Sequence, residues 1–253
     1  MNIVVFDLET KARPGSDCTW EEKHKMGISV GVSFSFQTGD FTTYLDDNMG
    51  DLWEALIKAD LVTGYNILSF DLPLLKAEME NWIHRLTAQH QMEEEAAKML
   101  AGLEAQYAKV LLKSYDMYPE AKAGAGADTY DKGYRVDDLL RATWGAAAGK
   151  TGNGAFAPDL FKAGKQGELI SYCIADVQRE RRLFERCWTM GTLRAAGYKE
   201  GKEYFTVKRP QEMLGLAFFT PLPYPIDGDP CGAPPPEAPY IPVVQEQLAS
   251  DSI

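Results

Sequence analysis

The sequence lacks any apolar run long enough to cross a lipid bilayer. A transmembrane helix needs about 20 consecutive, mostly apolar residues, and every uninterrupted apolar stretch of this 253-residue chain is far shorter. The chain also begins directly with a strand-like apolar segment, without the basic residues that precede the apolar part of a signal peptide. We therefore expect no membrane partner and no secretion signal.

Cysteine is scarce and scattered along the chain. The four cysteines form no Cys-x-x-Cys pair; they are Cys18, Cys173, Cys187 and Cys231. A structural zinc site or a disulfide framework would require more regular spacing, so neither is predicted. This use of cysteine is typical of a protein in the reducing cytoplasm.

Positive charge is also in the minority. The chain has 26 Lys and Arg residues against 37 Asp and Glu residues, which gives a net charge of −11. Such a balance argues against a basic coat for nucleic acid, because nonspecific binding works by neutralising phosphates. It is compatible with an enzyme acting on nucleic acid, since metal ions in an acidic site supply positive charge locally.

The first apolar segment, at residues 3–6, predicts a buried strand followed by two acids. Asp7 and Glu9 are two positions apart, so in an extended chain their side chains point the same way. Like charges held close repel, and a hard cation such as Mg²⁺ between two carboxylates removes that repulsion. From this motif alone, a metal site and two solvated acids at a strand end both remain open.

The remaining pattern predicts an α/β domain. Apolar and polar residues alternate over 28–36, and a Thr-Gly-Asp turn leads to a partner strand at 41–45, which together indicate a hairpin. Another short strand is predicted at 61–66. Residues 78–113 contain no proline and carry apolar residues at helical spacing, which predicts an inserted helical hairpin. Shorter helices are predicted at 51–59 and 136–144.

Two predicted helices carry further candidate residues. Asp71 precedes Pro73 at a helix start, where it is an ordinary N-cap and is also positioned to project toward the end of the first strand. Tyr172 and Asp176, on a helix at 168–188, are four residues apart and therefore share a face. The arginines that follow are expected on the solvated side of this helix; they are Arg179, Arg181 and Arg182.

The composition changes at residue 221. Residues 221–253 hold nine of the fourteen prolines and no lysine or arginine. A Pro-rich acidic segment of this kind cannot build a core of its own. We therefore divide the chain into a domain at 1–220 and a tail at 221–253. The sequence leaves open whether the tail wraps the domain, binds a protein partner or stays disordered.

Three motifs in order resemble the DEDD superfamily of 3′→5′ exonucleases. They are Phe6-Asp7-Leu8-Glu9-Thr10, then Asn66-x4-Asp71, then Tyr172-x3-Asp176. The tyrosine in the third motif is typical of the DEDDy branch, which includes DNA polymerase proofreading domains and RNase D. The resemblance covers roughly residues 1–190, with the insertion at about 78–113 inside it. No polymerase or helicase region accompanies it, so a freestanding nuclease domain is expected.

The resemblance implies an RNase H-like fold and a complete hydrolytic site. The fold would be a mixed sheet, its first three strands antiparallel, with helices on both faces. Two Mg²⁺ or Mn²⁺ ions are implied on four carboxylates, those of Asp7, Glu9, Asp71 and Asp176. Asp7 is expected to bridge the two ions. Tyr172 completes the implied catalytic set, and Thr10 and Asn66 are implied to bind substrate.

The activity that the resemblance implies is hydrolysis of phosphodiester bonds from a free 3′ end. Single-stranded DNA is the expected substrate, and nucleoside 5′-monophosphates are the expected products. Three alternatives stay open: an exoribonuclease, a nucleic-acid-binding module with reduced nuclease activity, and a hydrolase of small nucleotides. The complete set of four carboxylates argues against the binding module.

Overall fold

The fold is described for most of the chain before the tail. A computed structural model describes residues 1–13, 15, 18–19, 21–88, 92–126, 133–145, 148, 156–195, 204–217 and 220–224. The predicted tail at 221–253 therefore lies almost entirely outside the described residues. Within these ranges, every helix is too short or too polar to cross a membrane.

Five strands form one mixed sheet. The central strand β1 (Ile3–Thr10) pairs antiparallel with β2 (Ile28–Ser35), which pairs antiparallel with β3 (Phe41–Tyr44). On its other side, β1 pairs in parallel with β4 (Leu61–Gly64), which pairs in parallel with β5 (Ser114–Asp116). The strand order is β3-β2-β1-β4-β5. This confirms the expected RNase H-like sheet with three consecutive antiparallel strands.

The helices lie between and after the strands. In chain order they are α1 (Met49–Lys58), α2 (Asp71–Ala88), α3 (Glu93–Leu112), α4 (Met117–Ala125), α5 (Val136–Trp144), α6 (Ala157–Lys162), α7 (Gln166–Thr189) and α8 (Pro210–Met213). A short antiparallel pair, β6 (Thr192–Leu193) and β7 (Phe205–Thr206), follows α7.

The two faces of β1 are buried in different cores, as alternation along a strand requires. The side chains of Ile3 and Val5 belong to the core shared with α7. Those of Val4, Phe6 and Leu8 belong to the core shared with α1 and α2. Helices therefore cover both faces of the sheet, as expected. Asp7 and Glu9 continue the odd-numbered face and so point to the α7 side.

The predicted helical hairpin is formed by α2 and α3. The helix α2 begins at Asp71, so the predicted boundary of the insertion at residue 78 falls inside this helix. Apolar residues join the two helices to the core, among them Met79, Ile83 and Leu103. The first arm of the hairpin is thus the continuation of the helix that carries the second acidic motif.

Candidate metal centre

The strand β1 brings the first two acids to the edge of the core. Ile3 and Val5 on the same face are fully buried, whereas Asp7 and Glu9 are only partly buried. Pairing with β2 is regular up to Glu9 and shifts between Glu9 and Thr10. The odd-numbered face therefore passes from core to pocket within the length of one strand.

The helix α7 brings the third acid and the tyrosine to the same place. Leu169, Cys173 and Val177 are buried in the core with the sheet, which fixes the rotation of the helix. Tyr172 and Asp176, one turn apart, line a pocket together with Asp7 and Glu9. The sequence predicted this shared face.

Three carboxylates in this pocket can meet on a single ion. Asp7, Glu9 and Asp176 each offer one oxygen, and these oxygens lie within 4.8 Å of one another. Oxygen ligands lie about 2.0–2.6 Å from Mg²⁺ or Ca²⁺, so two ligands of one ion are at most about 4–5 Å apart. An all-carboxylate donor set suits Mg²⁺ or Mn²⁺ better than zinc. The residues thus fit the divalent cation that the resemblance implies.

Asp71 lies beside this cluster but outside it. It is the first residue of α2 and is 2% exposed. The parallel pairing of β1 with β4 ends at Val5, and three residues later the Leu8 N–H donates to Asp71 Oδ1 at 3.2 Å. Burial, and next the charge of Asp7, raise the pKa of Asp71 well above its ordinary range. Its predicted role as a fourth ligand stays a prediction.

The two residues implied in substrate binding have different surroundings. Thr10 is 9% exposed, and its hydroxyl donates to the Ala12 carbonyl oxygen at 2.8 Å. Asn66 is partly exposed and has a φ of 67°. Asparagine tolerates this left-handed conformation better than most residues. The Asn66 N–H donates to Asp116 Oδ1 at 2.7 Å, which fixes the backbone at this position.

The prediction of solvated arginines on α7 is wrong. Arg179 Nη1 pairs with Asp176 Oδ1 at 2.9 Å. The guanidinium of Arg181 pairs with Glu185 and lies 4.1 Å from the ring centre of Phe34. That of Arg182 lies 4.4 Å from the ring centre of Trp144. The reason is that α7 contacts both the sheet and α5, so little of its circumference faces water.

Sequence reasoning missed two groups in contact with the site. Glu180 is 5% exposed and lines the pocket one turn after Asp176; the same helical spacing that links Tyr172 to Asp176 would have found it. The Cys173 thiol lies 3.8 Å from Asp7 Oδ2. Burial, and next the charge of Asp7, raise the pKa of this thiol, so it remains a hydrogen donor to Asp7, whose backbone carbonyl oxygen lies 3.6 Å from the sulfur.

Comparison with known proteins leaves the family of this chain undefined. No protein-family model and no curated protein sequence matches it. Among solved structures, it is similar to the family B DNA polymerase from the hyperthermophilic archaeon Pyrobaculum calidifontis, at 12% identity and a TM-score of 0.47. The match covers 74% of this chain and 24% of the polymerase chain. The sheet order is that of an RNase H-like fold, and the three carboxylates form a cluster that could hold a metal ion.

Proposed function

We propose that this chain is a metal-dependent 3′→5′ exonuclease that acts on single-stranded DNA by a two-metal mechanism. The observation that carries the proposal is the three-carboxylate cluster of Asp7, Glu9 and Asp176, with its oxygens within 4.8 Å, in one pocket with Tyr172. The order of the three motifs along the chain supports the same activity. The products would be nucleoside 5′-monophosphates.

The metal ligands of the proposal follow from this placement. Glu9 and Asp176 would hold one divalent cation together with Asp7, and Asp71 would hold a second cation that Asp7 shares. When bound, such a pair of cations activates a water and stabilises charge on the leaving oxygen. Asp71 lies close enough to Asp7 for their charges to repel, and a cation shared by the two carboxylates would offset that repulsion.

Tyr172 would position the attacking water. A phenol has an ordinary pKa of about 10, so it is a poor general base at neutral pH. Its hydroxyl can instead donate or accept one hydrogen bond. Tyr172 lines the pocket beside Asp176, which suits a group that holds a water in line.

A free 3′ end is the substrate that this proposal requires. Asn66, partly exposed after β4, would contact the terminal nucleotide. A paired end must unstack and unpair before it can enter, at a cost of a few kcal/mol per nucleotide. A single strand or a frayed end is therefore preferred over a duplex.

The test is digestion of labelled nucleic acids with the purified protein. Single-stranded DNA should be shortened from its 3′ end in Mg²⁺ or Mn²⁺, and EDTA should abolish the reaction. A 3′-blocked strand and a closed single-stranded circle should resist. Parallel RNA and dinucleotide substrates decide between a deoxyribonuclease, an exoribonuclease and a hydrolase of small nucleotides. Cutting of the circle, or full activity in EDTA, would overturn the proposal.

A further inference from the structure

A second buried carboxylate holds the loop that carries the second motif. Asp116, the last residue of β5, is 3% exposed. Its Oδ1 accepts hydrogen bonds from the N–H groups of Asn66 at 2.7 Å and Tyr118 at 3.0 Å. Its Oδ2 accepts one from the Leu68 N–H at 3.0 Å. Two of these three donors belong to the loop at 65–70, which joins β4 to α2.

Strand pairing explains why this side chain reaches the loop. Asp116 pairs with Gly64, the last residue of β4, across the parallel strands. The loop begins immediately after Gly64, so the carboxylate lies directly beside its first turns. The loop has an internal backbone bond, from the Phe70 N–H to the Asn66 carbonyl oxygen at 3.1 Å. Lys23 Nζ donates to its Ser69 carbonyl oxygen, and its Tyr65 hydroxyl donates to the Tyr134 carbonyl oxygen. Asp116 is the side chain that bonds the N–H groups of Asn66 and Leu68 to the end of β5.

Helix capping accounts for only part of this arrangement. Asp116 is the N-cap of α4, and the bond from Tyr118 is an ordinary capping bond. The bonds from Asn66 and Leu68 lie outside that helix. Burial raises the pKa of Asp116, and the three backbone hydrogen bonds oppose the rise. A side chain that only caps α4 would need neither loop bond.

The contact with Asp116 stabilises an uncommon backbone conformation at Asn66. Its φ of 67° is uncommon for a residue with a side chain. Hydrogen bonds on the N–H groups of Asn66 and Leu68 hold the chain in this conformation. They therefore set the direction in which the partly exposed Asn66 side chain leaves the backbone.

We propose that Asp116 is a positioning residue for the exonuclease reaction, which holds Asn66 in the orientation that contacts the 3′-terminal nucleotide. The inference rests on the proposed function. Asp71, at the far end of the loop, is held separately by the Leu8 N–H and by α2. Loss of Asp116 should therefore weaken substrate binding more than the chemical step.

The variant Asp116→Asn separates these effects. The amide keeps the shape and one acceptor, but its NH₂ group cannot accept, so at least one backbone bond is lost. A hydrogen bond to a charged group is worth enough to change binding by on the order of tenfold. We expect KM for a single-stranded oligonucleotide to rise by about this factor, with kcat within about threefold of wild type.

A double-mutant cycle tests whether Asp116 acts through Asn66. Asn66→Gly removes the side chain and tolerates the positive φ, whereas alanine would be strained. If Asp116 only orients Asn66, Asp116→Asn should add nothing to KM in the Asn66→Gly background. The inference would be overturned if the increases in KM of the two single variants multiplied in the double variant, or if KM were unchanged in Asp116→Asn.

Two further measurements exclude a loss of folding. Mn²⁺ affinity of the three-carboxylate cluster should be unchanged in Asp116→Asn, and its thermal unfolding should remain cooperative. Asp60→Asn is the control. Asp60 Oδ2 also accepts a backbone hydrogen bond, from the Asn2 N–H at 2.7 Å, but these residues lie just before β1 and β4, at the other end of the strands from the loop. This substitution should leave KM unchanged. If Asp116→Asn does not fold, Asp116→Ser, which keeps one acceptor oxygen, replaces it in the cycle.

Binding of a fluorescent single strand in EDTA keeps this inference separable from the proposed function. If wild type binds but does not cleave, the proposed function fails. The double-mutant cycle of Asp116→Asn and Asn66→Gly, measured as Kd for the single strand, still decides the role of Asp116. If wild type cleaves and Asp116→Asn keeps a wild-type KM, only the inference fails. If wild type neither binds nor cleaves nucleic acid, both fail.

Discussion

Two groups of acids lie at one edge of the sheet and are held in different ways. Asp7, Glu9 and Asp176 converge in a pocket, with oxygens within 4.8 Å of one another. Asp71 and Asp116 are almost fully buried and accept hydrogen bonds from backbone N–H groups. Carboxylates that converge on one another suit a cation, whereas carboxylates that meet N–H groups fix the backbone. The first arrangement suits chemistry. In the second, Asp116 suits positioning, and Asp71, which also lies beside Asp7, is the proposed ligand of a second cation.

Both groups of acids lie at the carboxyl ends of the parallel strands. The parallel strands β1, β4 and β5 all end at this edge, and ligand sites in open α/β sheets lie outside the carboxyl ends of the strands. Asp7 and Glu9 come from β1, Asp71 from the connection after β4, and Asp116 from the end of β5. Only Asp176 arrives from a helix that crosses the face of the sheet.

The largest effect should come from removing a charge in the cluster. Asp176→Asn keeps the shape of the side chain but removes the negative charge that would hold a cation. Loss of several kcal/mol of charge stabilisation corresponds to roughly 10³-fold or more in rate. Single-turnover kinetics and a Mn²⁺ titration should both show the loss. Wild-type turnover in this variant would contradict the assignment.

A smaller loss is expected at the tyrosine of the same pocket. Tyr172→Phe removes one positioning hydroxyl, which typically costs on the order of 10²-fold in rate. Because no carboxylate is changed, Mn²⁺ affinity should stay close to wild type. Rate measurements on Tyr172→Phe and Asp176→Asn under the same conditions show which variant loses more activity. A Tyr172→Phe protein as inactive as Asp176→Asn would show that the hydroxyl does more than position water.

The ion pair between Arg179 and Asp176 should weaken cation binding. The guanidinium lies 2.9 Å from Asp176 Oδ1, and its positive charge disfavours another cation nearby. Arg179→Gln should therefore tighten Mn²⁺ binding by about tenfold, measured by calorimetry. Arg181→Gln is the matched control, because it removes an ion pair with Glu185 on the same helix. Equal affinity in both variants would contradict this electrostatic account.

The smallest effect concerns stability without metal. The pKa of Asp71 is raised by burial and by Asp7, so the folded protein binds this proton more tightly than the unfolded chain. The linked stability is present below the ordinary pKa of about 3.9 and is lost as pH rises through the raised value. In EDTA at neutral pH, Asp71→Asn should therefore raise Tm by a few degrees.

A pH series separates this effect from a general change in packing. Asparagine can still accept the bond from Leu8, so the substitution keeps the backbone contact. The difference in Tm between Asp71→Asn and wild type should shrink as pH falls toward 4. A constant difference over the whole series would show that the charge of Asp71 is not the cause.

The sequence predicted the elements that local pattern determines. The alternation of apolar and polar residues predicted β2, and the four-residue spacing predicted the shared face of Tyr172 and Asp176. Both predictions follow from backbone periodicity. The partners of Arg182 and Asp116 could not be predicted in this way. Arg182 meets the Trp144 ring because α7 packs against α5, and Asp116 meets Asn66 because β4 and β5 pair. Such contacts depend on tertiary packing, which the spacing of residues along one segment does not determine.

Direct measurement of metal binding tests the central claim most sharply. Calorimetric titration of the metal-free protein with Mn²⁺ should show two binding events in wild type. Asp7→Asn should lose or weaken both, because Asp7 is the proposed shared ligand. Glu9→Gln should weaken mainly one of them. Identical isotherms for wild type and Asp7→Asn would contradict the claim that this cluster is a metal centre.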